Sequence, residues 1–348
     1  MASCKRRNGD DEHRCGGGKR PRPAPEKRKQ HLYVVLDDWG DKGYRMHKID
    51  VDALALLEEE EAEDMRLPEP ALLQFANHAP LTAPMCFSAL GTTIFAARPP
   101  DTPALLYHAD TGGLTIGPPL HVGVVPAVTV AVGGKMYAFH HANQVAVMSL
   151  EAVQYANNVV DRMLQPTRAW TWTTLPSPPP YSVLDAITSY AVHPDERTLF
   201  ISVAPAAPQL DERHYDAELD AWVGLRGGDV CACRVASRSS SGPPEPEWKL
   251  LKEKVCGKDP PERQLSVKPR LVHMGGSRFC LLERVRREGV DKVHAFCDSH
   301  GCGCVLRLTV FGLKYDHRGE LRTSLHRTTA SYIVSYSGLL SSPIAFWM

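Results

Sequence analysis

The sequence predicts an all-β chain, a β-propeller of about six blades preceded by a disordered basic tail. Three observations predict it. Pairs of short apolar runs with a Gly or Pro-Asp turn between them recur along the chain; helical periodicity is confined to Val51–Leu57 and Leu150–Met163; and 28 prolines interrupt the remainder. A doubly wound α/β fold would place longer amphipathic stretches between its strands, and a β-sandwich would space its strands more evenly. Hairpins at blade-sized intervals are the signature of small sheets stacked round an axis.

Residues 1–30 combine Gly16-Gly17-Gly18, Pro21, Pro23 and Pro25 with basic clusters. Such a segment buries too little apolar area to offset its ordering entropy, so it is expected to be disordered, with the propeller domain spanning residues 31–348. Order begins at His31-Leu32-Tyr33-Val34-Val35-Leu36, a β-rich run closed by Asp37, Asp38 and Gly40, and a second strand, Tyr44 to Ile49, follows at hairpin distance. The acidic run Glu58 to Glu61, closed by Pro68 and Pro70, reads as a solvated loop or helix end.

The hairpin pattern then repeats. It runs from Cys86 to Leu90 and Thr93 to Ala97 around Gly91, and from Val128 to Val132 and Met136 to His140 around Gly133-Gly134. It returns from Ile187 to Val192 and Thr198 to Val203 around His193-Pro194-Asp195, and from Ala221 to Leu225 and Val230 to Val235 around Gly227-Gly228. A last copy joins Arg270 to Met274 and Arg278 to Val285 around Gly275-Gly276. These are hairpins with turn chemistry at fixed places.

Gly133-Gly134, Tyr137, Trp170, Trp172 and Leu175-Pro176 stand in the order of a kelch repeat. The stretches Ile187-Thr188-Ser189-Tyr190-Ala191-Val192-His193-Pro194-Asp195, Tyr215-Asp216, Leu219-Asp220-Ala221-Trp222-Val223-Gly224-Leu225 and Val230-Cys231-Ala232-Cys233 are more specific. With Phe279-Cys280-Leu281-Leu282-Glu283 and Val310-Phe311-Gly312-Leu313-Lys314-Tyr315-Asp316, they resemble a plant domain family of unknown function, expanded in grasses, of kelch-like and galactose-oxidase-like propeller character. The resemblance covers roughly residues 31–325 and implies a fold but no catalytic residues. Family members have a further strand and a Phe-Asp-Thr…Trp stretch before the unit at Tyr215, whereas here Ala204 to His214 is short and polar. One blade is therefore expected to lack strands, leaving an opened ring with exposed sheet edges.

The formal charge of zero hides an asymmetry: residues 1–30 carry ten Lys or Arg against four acids, a net of +6, and the body carries −6. The start Met-Ala-Ser-Cys-Lys-Arg-Arg has no apolar signal region, and no Asn-X-Ser/Thr acceptor occurs in the chain. The longest apolar stretch, Val122 to Val132, falls short of the roughly 20 residues a membrane span needs. These features predict an intracellular protein, nuclear or cytoplasmic, without a membrane anchor. The ten cysteines are expected to be reduced, several of them as small buried hydrophobes (Cys86, Cys231, Cys280).

Lys5, Arg6, Arg7, Lys19, Arg20, Lys27, Arg28 and Lys29 fit a bipartite nuclear import signal, with six residues between Lys19-Arg20 and Lys27-Arg28-Lys29. The same cluster also fits a solubilising tail, or an arm that touches nucleic acid phosphates without reading sequence.

The nucleophile elbow, the P-loop, the dinucleotide fingerprint and the zinc helix are all missing, so no catalytic residue and no cofactor is assigned. Cys297, His300, Cys302 and Cys304 make the best metal candidate, but C-x-C with a glycine-separated His fits zinc poorly; Cys231 and Cys233 share a strand face and could complete a site only from an adjacent blade. No metal is assigned. His140-His141 reads as an exposed loop pair at a propeller end, and Glu283 and Asp316 as solvated acids near strand ends. A kelch-like copper oxidase would need Tyr and His ligands gathered round the axis, which no spacing here singles out.

No F-box is seen before His31, so a role in ubiquitin ligation would need a separate partner. The expected function is a non-enzymatic binding module that presents loops at one end of the ring to a protein partner. The alternatives are a metal-dependent oxidase or hydrolase with a dispersed site at the propeller mouth, and a degenerate family member.

Overall fold

The computed structural model describes residues 29–37, 43–54, 65–76, 85–98, 102–120, 128–139, 144–152, 168–176, 185–205, 211–234, 248–255, 267–290, 303–324, 327–334 and 343–348. The chain divides into two units, Met1–Gln30 and His31–Met348. Of the first, Lys29 and Gln30 are described and exposed; the rest of the expected disordered tail lies outside the described residues, as does the acidic run at Glu58 to Glu61.

In the second unit, β1 (Leu32–Asp37) and β2 (Tyr44–Ile49) form a hairpin, followed by the one-turn helix α1 (Val51–Leu54) and the short strands β3 (Met65–Arg66) and β4 (Leu73–Phe75). The strands β5 (Cys86–Leu90), β6 (Thr93–Ala97), β7 (Ala104–His108) and β8 (Gly113–Gly117) form a meander, blade 2. Blade 3 is a second meander of β9 (Val128–Val132), β10 (Lys135–Phe139), β11 (Val145–Ala152) and β12 (Arg168–Thr174). Leu150, where helical periodicity begins in the sequence, lies instead in β11, held by cross-strand pairing with β12.

Blade 4 contains β13 (Asp185–Val192), β14 (Leu199–Pro205), β15 (Asp211–Asp216), β16 (Ala221–Arg226), β17 (Asp229–Arg234) and β18 (Trp248–Leu250), in the order β14-β13-β15-β16-β17-β18. Blade 5 runs β19-β20-β21-β23-β3, from β19 (Arg270–Gly275), β20 (Arg278–Arg286), β21 (Cys304–Tyr315) and β23 (Thr328–Val334), with β22 (Leu321–Thr323) paired to β21. The last strand, β24 (Ile344–Trp347), returns to complete blade 1 in the order β24-β1-β2-β4.

Strands read as near-continuous apolar runs where a blade is covered on both faces. On β1, Leu32, Val34 and Leu36 pack against Leu282, Leu306 and Leu308 of blade 5, while Tyr33 and Val35 pack in a cluster with Phe87 and Ile94 of blade 2. The remaining interfaces follow in turn. Phe95 and Leu106 of blade 2 meet Met136, Met148 and Trp170 of blade 3, with Phe95 and Trp170 edge to face at 5.6 Å. Val128, Val130 and Phe139 of blade 3 meet Ile187, Leu199 and Ile201 of blade 4, and Ala221, Val223 and Val230 of blade 4 meet Leu271, Phe279 and Phe311 of blade 5. Each Val, Leu, Ile, Phe or Met side chain fully removed from water in these clusters contributes about 1.5–3 kcal/mol.

The five clusters form a closed circuit, and the fold is an all-β propeller of five blades. The pairing of β24 with β1, Leu32 opposite Trp347 and Val35 opposite Ile344, seals the first sheet with the last strand. Two expectations are thereby corrected. Six hairpin units do occur, but they make five blades, because the hairpin β13–β14 joins the following sheet through parallel pairing of Ser189 with Asp211 and Ala191 with Arg213. The short stretch from Ala204 to His214 therefore leaves no open ring: a two-stranded unit packs on blade 3 and is hydrogen-bonded into blade 4.

Candidate functional site

The first strands of the blades converge on a chamber of about 630 Å³. Its wall is drawn from β5, β9, β13 with β15, β19 and β24, one set from each of the five blades, which places it on the axis of the ring. The strands β5, β9, β19 and β24 are sheet edges, so backbone N–H and C=O groups as well as side chains face inward. The turn at Gly133-Gly134 carries φ of 56° and 73°, and an added Cβ at Gly133 would stand 2.8 Å from the carbonyl oxygen of Glu196, which itself lies on the chamber wall. The hydroxyls of Ser88 and Thr129 hydrogen-bond to each other across blades 2 and 3.

A buried polar cluster backs the wall between blades 4 and 5. Asp216 ends β15, is 1% exposed, and its carboxylate accepts five hydrogen bonds. The donors are the backbone N–H groups of Glu218 (3.1 Å), Leu219 (2.8 Å) and Ser277 (3.0 Å), the Ser277 hydroxyl (2.7 Å) and Nε2–H of His273 (2.9 Å). Burial raises the Asp216 pKa, but the His273 and Ser277 hydrogen bonds outweigh it and bring the group down to about 2. With its Nε2 proton fixed by Asp216, His273 offers Nδ1 as its second hydrogen-bonding atom, and its side chain is 25% exposed on the chamber wall. The neighbouring His214, whose ring lies 6.2 Å away, donates Nε2–H to the carbonyl of Leu271 at 3.1 Å.

Ser277, His273 and Asp216 are the residue types of a catalytic triad, but the hydroxyl is bound to the carboxylate and not to the imidazole. The nucleophile–base contact that defines a triad is therefore missing from this arrangement. Cys86, also on the wall, donates Sγ–H to Ala97 O at 3.3 Å, and burial pushes its pKa up to about 11, which disfavours a reactive thiolate.

Of the residues singled out in the sequence, Lys5, Arg6, Arg7, Lys19, Arg20, Lys27, Arg28, His140, His141, Cys297, His300 and Cys302 lie outside the described residues, and Lys29 is exposed. Cys304 is buried between blades 1 and 5, where desolvation pushes its thiol to about 11. Cys231 and Cys233 are buried on β17, on the strand face opposite Val230 and Ala232, which pack toward blade 5; blade 4 does adjoin blade 5, yet these thiols face away from Cys304. Among the described residues no group of three or more His, Cys, Asp or Glu is arranged to hold a metal ion. Glu283 is 7% exposed inside β20, correcting the expectation of a solvated acid, because its strand is covered on both faces. Asp316 does sit in a turn, accepting from the N–H groups of Arg318 and Glu320.

His214, Asp216, Arg270 and His273 were not foreseen as a group, since the chain separates them by up to 59 residues. The one local signal is a polar residue inside an apolar run, His273 between Val272 and Met274.

Fold and site together define a five-bladed β-propeller with an axial chamber. The chain belongs to the family described as protein of unknown function (DUF1668), whose model matches residues 29–207 and 208–332, the two segments meeting between β14 and β15. A comparison with curated protein sequences returns no match. Among solved structures, apo AztD from Citrobacter koseri is similar over 92% of this chain and 97% of its own, at 11% identity and a TM-score of 0.35. KlHsv2 with loop 6CD replaced by a Gly-Ser linker is similar over 82% of this chain and 92% of its own, at 8% identity and a TM-score of 0.32. The ring described above rests on the chain's own sheet order and packing. Among the described residues no helix is long and apolar enough to cross a membrane.

Proposed function

We propose that the protein is a non-enzymatic binding module built on a kelch-like propeller, and that it receives its ligand in the axial chamber. The observation that carries this reading is the convergence of strands from all five blades on one concave space of about 630 Å³, within the size range of ligand sites. The wall mixes apolar and aromatic side chains with a few fixed polar groups, the composition of a site that orients a bound molecule. The wiring of Ser277 and the high pKa of Cys86 favour binding over nucleophilic chemistry.

Native mass spectrometry of protein incubated with a cell metabolite extract tests the proposal. A bound species is expected on the wild type and not on Ala131→Trp, which fills the chamber from β9. Absence of any adduct sensitive to Ala131→Trp would sink the chamber as a binding site.

A protein partner is the second reading, favoured by β14. Among the described residues it is one of the two edge strands of blade 4, and it carries the exposed apolar side chains Phe200 (53%) and Val203 (39%). An open edge beside exposed apolar groups suits strand addition by a partner. Affinity purification with wild type and Phe200→Asp checks it: partners that Phe200→Asp loses support the reading, and partners indifferent to it count against. We also propose nuclear import through Lys5–Arg7 and Lys19–Lys29. A reporter fused to residues 1–30 should accumulate in nuclei, and diffuse cytoplasmic signal would defeat that idea.

A further inference from the structure

We infer that β8, the outer edge of blade 2, is a self-association surface: two copies of this chain pair edge to edge about a two-fold axis at Thr115. The inference is independent of the chamber, which β8 does not line.

Strand β8 reads Gly113-Leu114-Thr115-Ile116-Gly117 and ends the order β5-β6-β7-β8, so among the described residues no strand pairs with its outer side. Edge strands of monomeric proteins are commonly guarded by a charge, a Pro or a bulge. The edges β3, β12 and β18 carry Arg66, Arg168 and Lys249. In contrast, β8 holds no charge and no Pro, and its register with β7 is unbroken from Ala104 opposite Gly117 to His108 opposite Gly113. Leu114 and Ile116 leave the strand on one face, 52% and 77% exposed, and Leu105 of β7, opposite Ile116, adds a third apolar side chain at 39%.

A second copy is the occupant this edge fits, because the strand is its own complement. A two-fold contact requires a surface to match itself. In antiparallel pairing centred on Thr115, Gly113 stands opposite Gly117 of the second copy, Leu114 opposite Ile116, and Thr115 opposite Thr115. Opposite residues share a sheet face, so each Leu114 packs on an Ile116 beside Leu105, and the two threonines form a favourable central pair. No like charges meet across the axis, since the strand has none, and the glycines at both ends leave the second backbone room to approach. The two copies together remove roughly 600 Å² of apolar side chain from water, and with the backbone of both edges the contact reaches on the order of 1,000 Å², the low end for a specific interface. The dimer is therefore weak and forms with rising concentration.

Sedimentation velocity on the full chain from about 1 to about 500 µM tests the inference. Monomer at the bottom of the range and doubled mass at the top are expected, with half-association on the order of 10–100 µM. A single monomeric species at the top overturns the inference. Thr115→Lys and Thr115→Glu should each weaken association about tenfold or more, because like charges then face each other across the axis, and an equimolar mixture of the two should regain it. Association indifferent to Thr115→Lys, or a mixture that stays monomeric, overturns the two-fold at β8. Hydrogen exchange on the wild type at the two ends of the range needs no variant to fold. Slowed exchange within Gly113–Gly117 at high concentration is expected, and protection that appears at β14 or another edge instead overturns the inference.

Discussion

Asp216 ties a strand end of blade 4 to the turn of blade 5, and its environment makes a definite statement about acid. Its carboxyl sits at about 2, below the ordinary 3.8. A carboxylate with a lowered folded-state pKa binds protons more readily when unfolded, so its stabilisation is complete above pH 4 and is lost as pH falls toward 2. The stake is on the order of 2 kcal/mol. Urea melts between pH 6 and pH 2 should show the wild type losing that much more stability than Asp216→Asn, which cannot titrate; parallel curves would disprove the linkage. At pH 7, Asp216→Asn is expected to cost about 3 kcal/mol, since His273 and Ser277 lose their charged acceptor. Ser277→Ala should cost about 1–2 kcal/mol, as one hydrogen bond goes and four remain.

At the level of elements, the hairpin between β9 and β10 shows why a turn residue is where it is. Both central residues have positive φ, and Gly133 also lies against the Glu196 backbone, so Gly133→Ala meets strain and a clash together. A loss of roughly 2–3 kcal/mol is expected in a denaturant melt, against roughly 1 kcal/mol for Gly134→Ala, where φ is positive but space is open. Equal effects would show that the contact between the two turns contributes nothing. The strands of all six hairpins were legible from apolar runs and turn chemistry, because strand and turn propensities are local. The helical reading of Leu150 was not borne out, since pairing between β11 and β12 overrides a short periodic pattern.

For the whole molecule, closure is the controlling event. Removing Ile344–Met348 would take away β24, bare the edge of β1 and open the clusters that Ala345 and Phe346 complete. A loss on the order of 5 kcal/mol is expected from the buried area alone, with a lowered thermal midpoint and self-association in size-exclusion chromatography as the readouts. A truncated chain that melts like the wild type and stays monomeric would show that closure is dispensable. The hairpin β13–β14 belongs to this scale as well: the sequence shows a sixth unit, and only the assembled ring shows it sharing a sheet with the strands that follow.

The sequence by itself determined the all-β class, the places of the hairpins, and the Gly and Asp residues that turn them. These follow from interactions between residues close in the chain, where apolar patterning and φ preference act directly. The tertiary structure alone decided that the blades are five, that β24 closes on β1, and that His273, Arg270 and His214 share one chamber wall with Asp216 buried against His273. Those facts depend on pairings across tens to hundreds of residues, which local propensity does not encode and which the packing of complete blades selects.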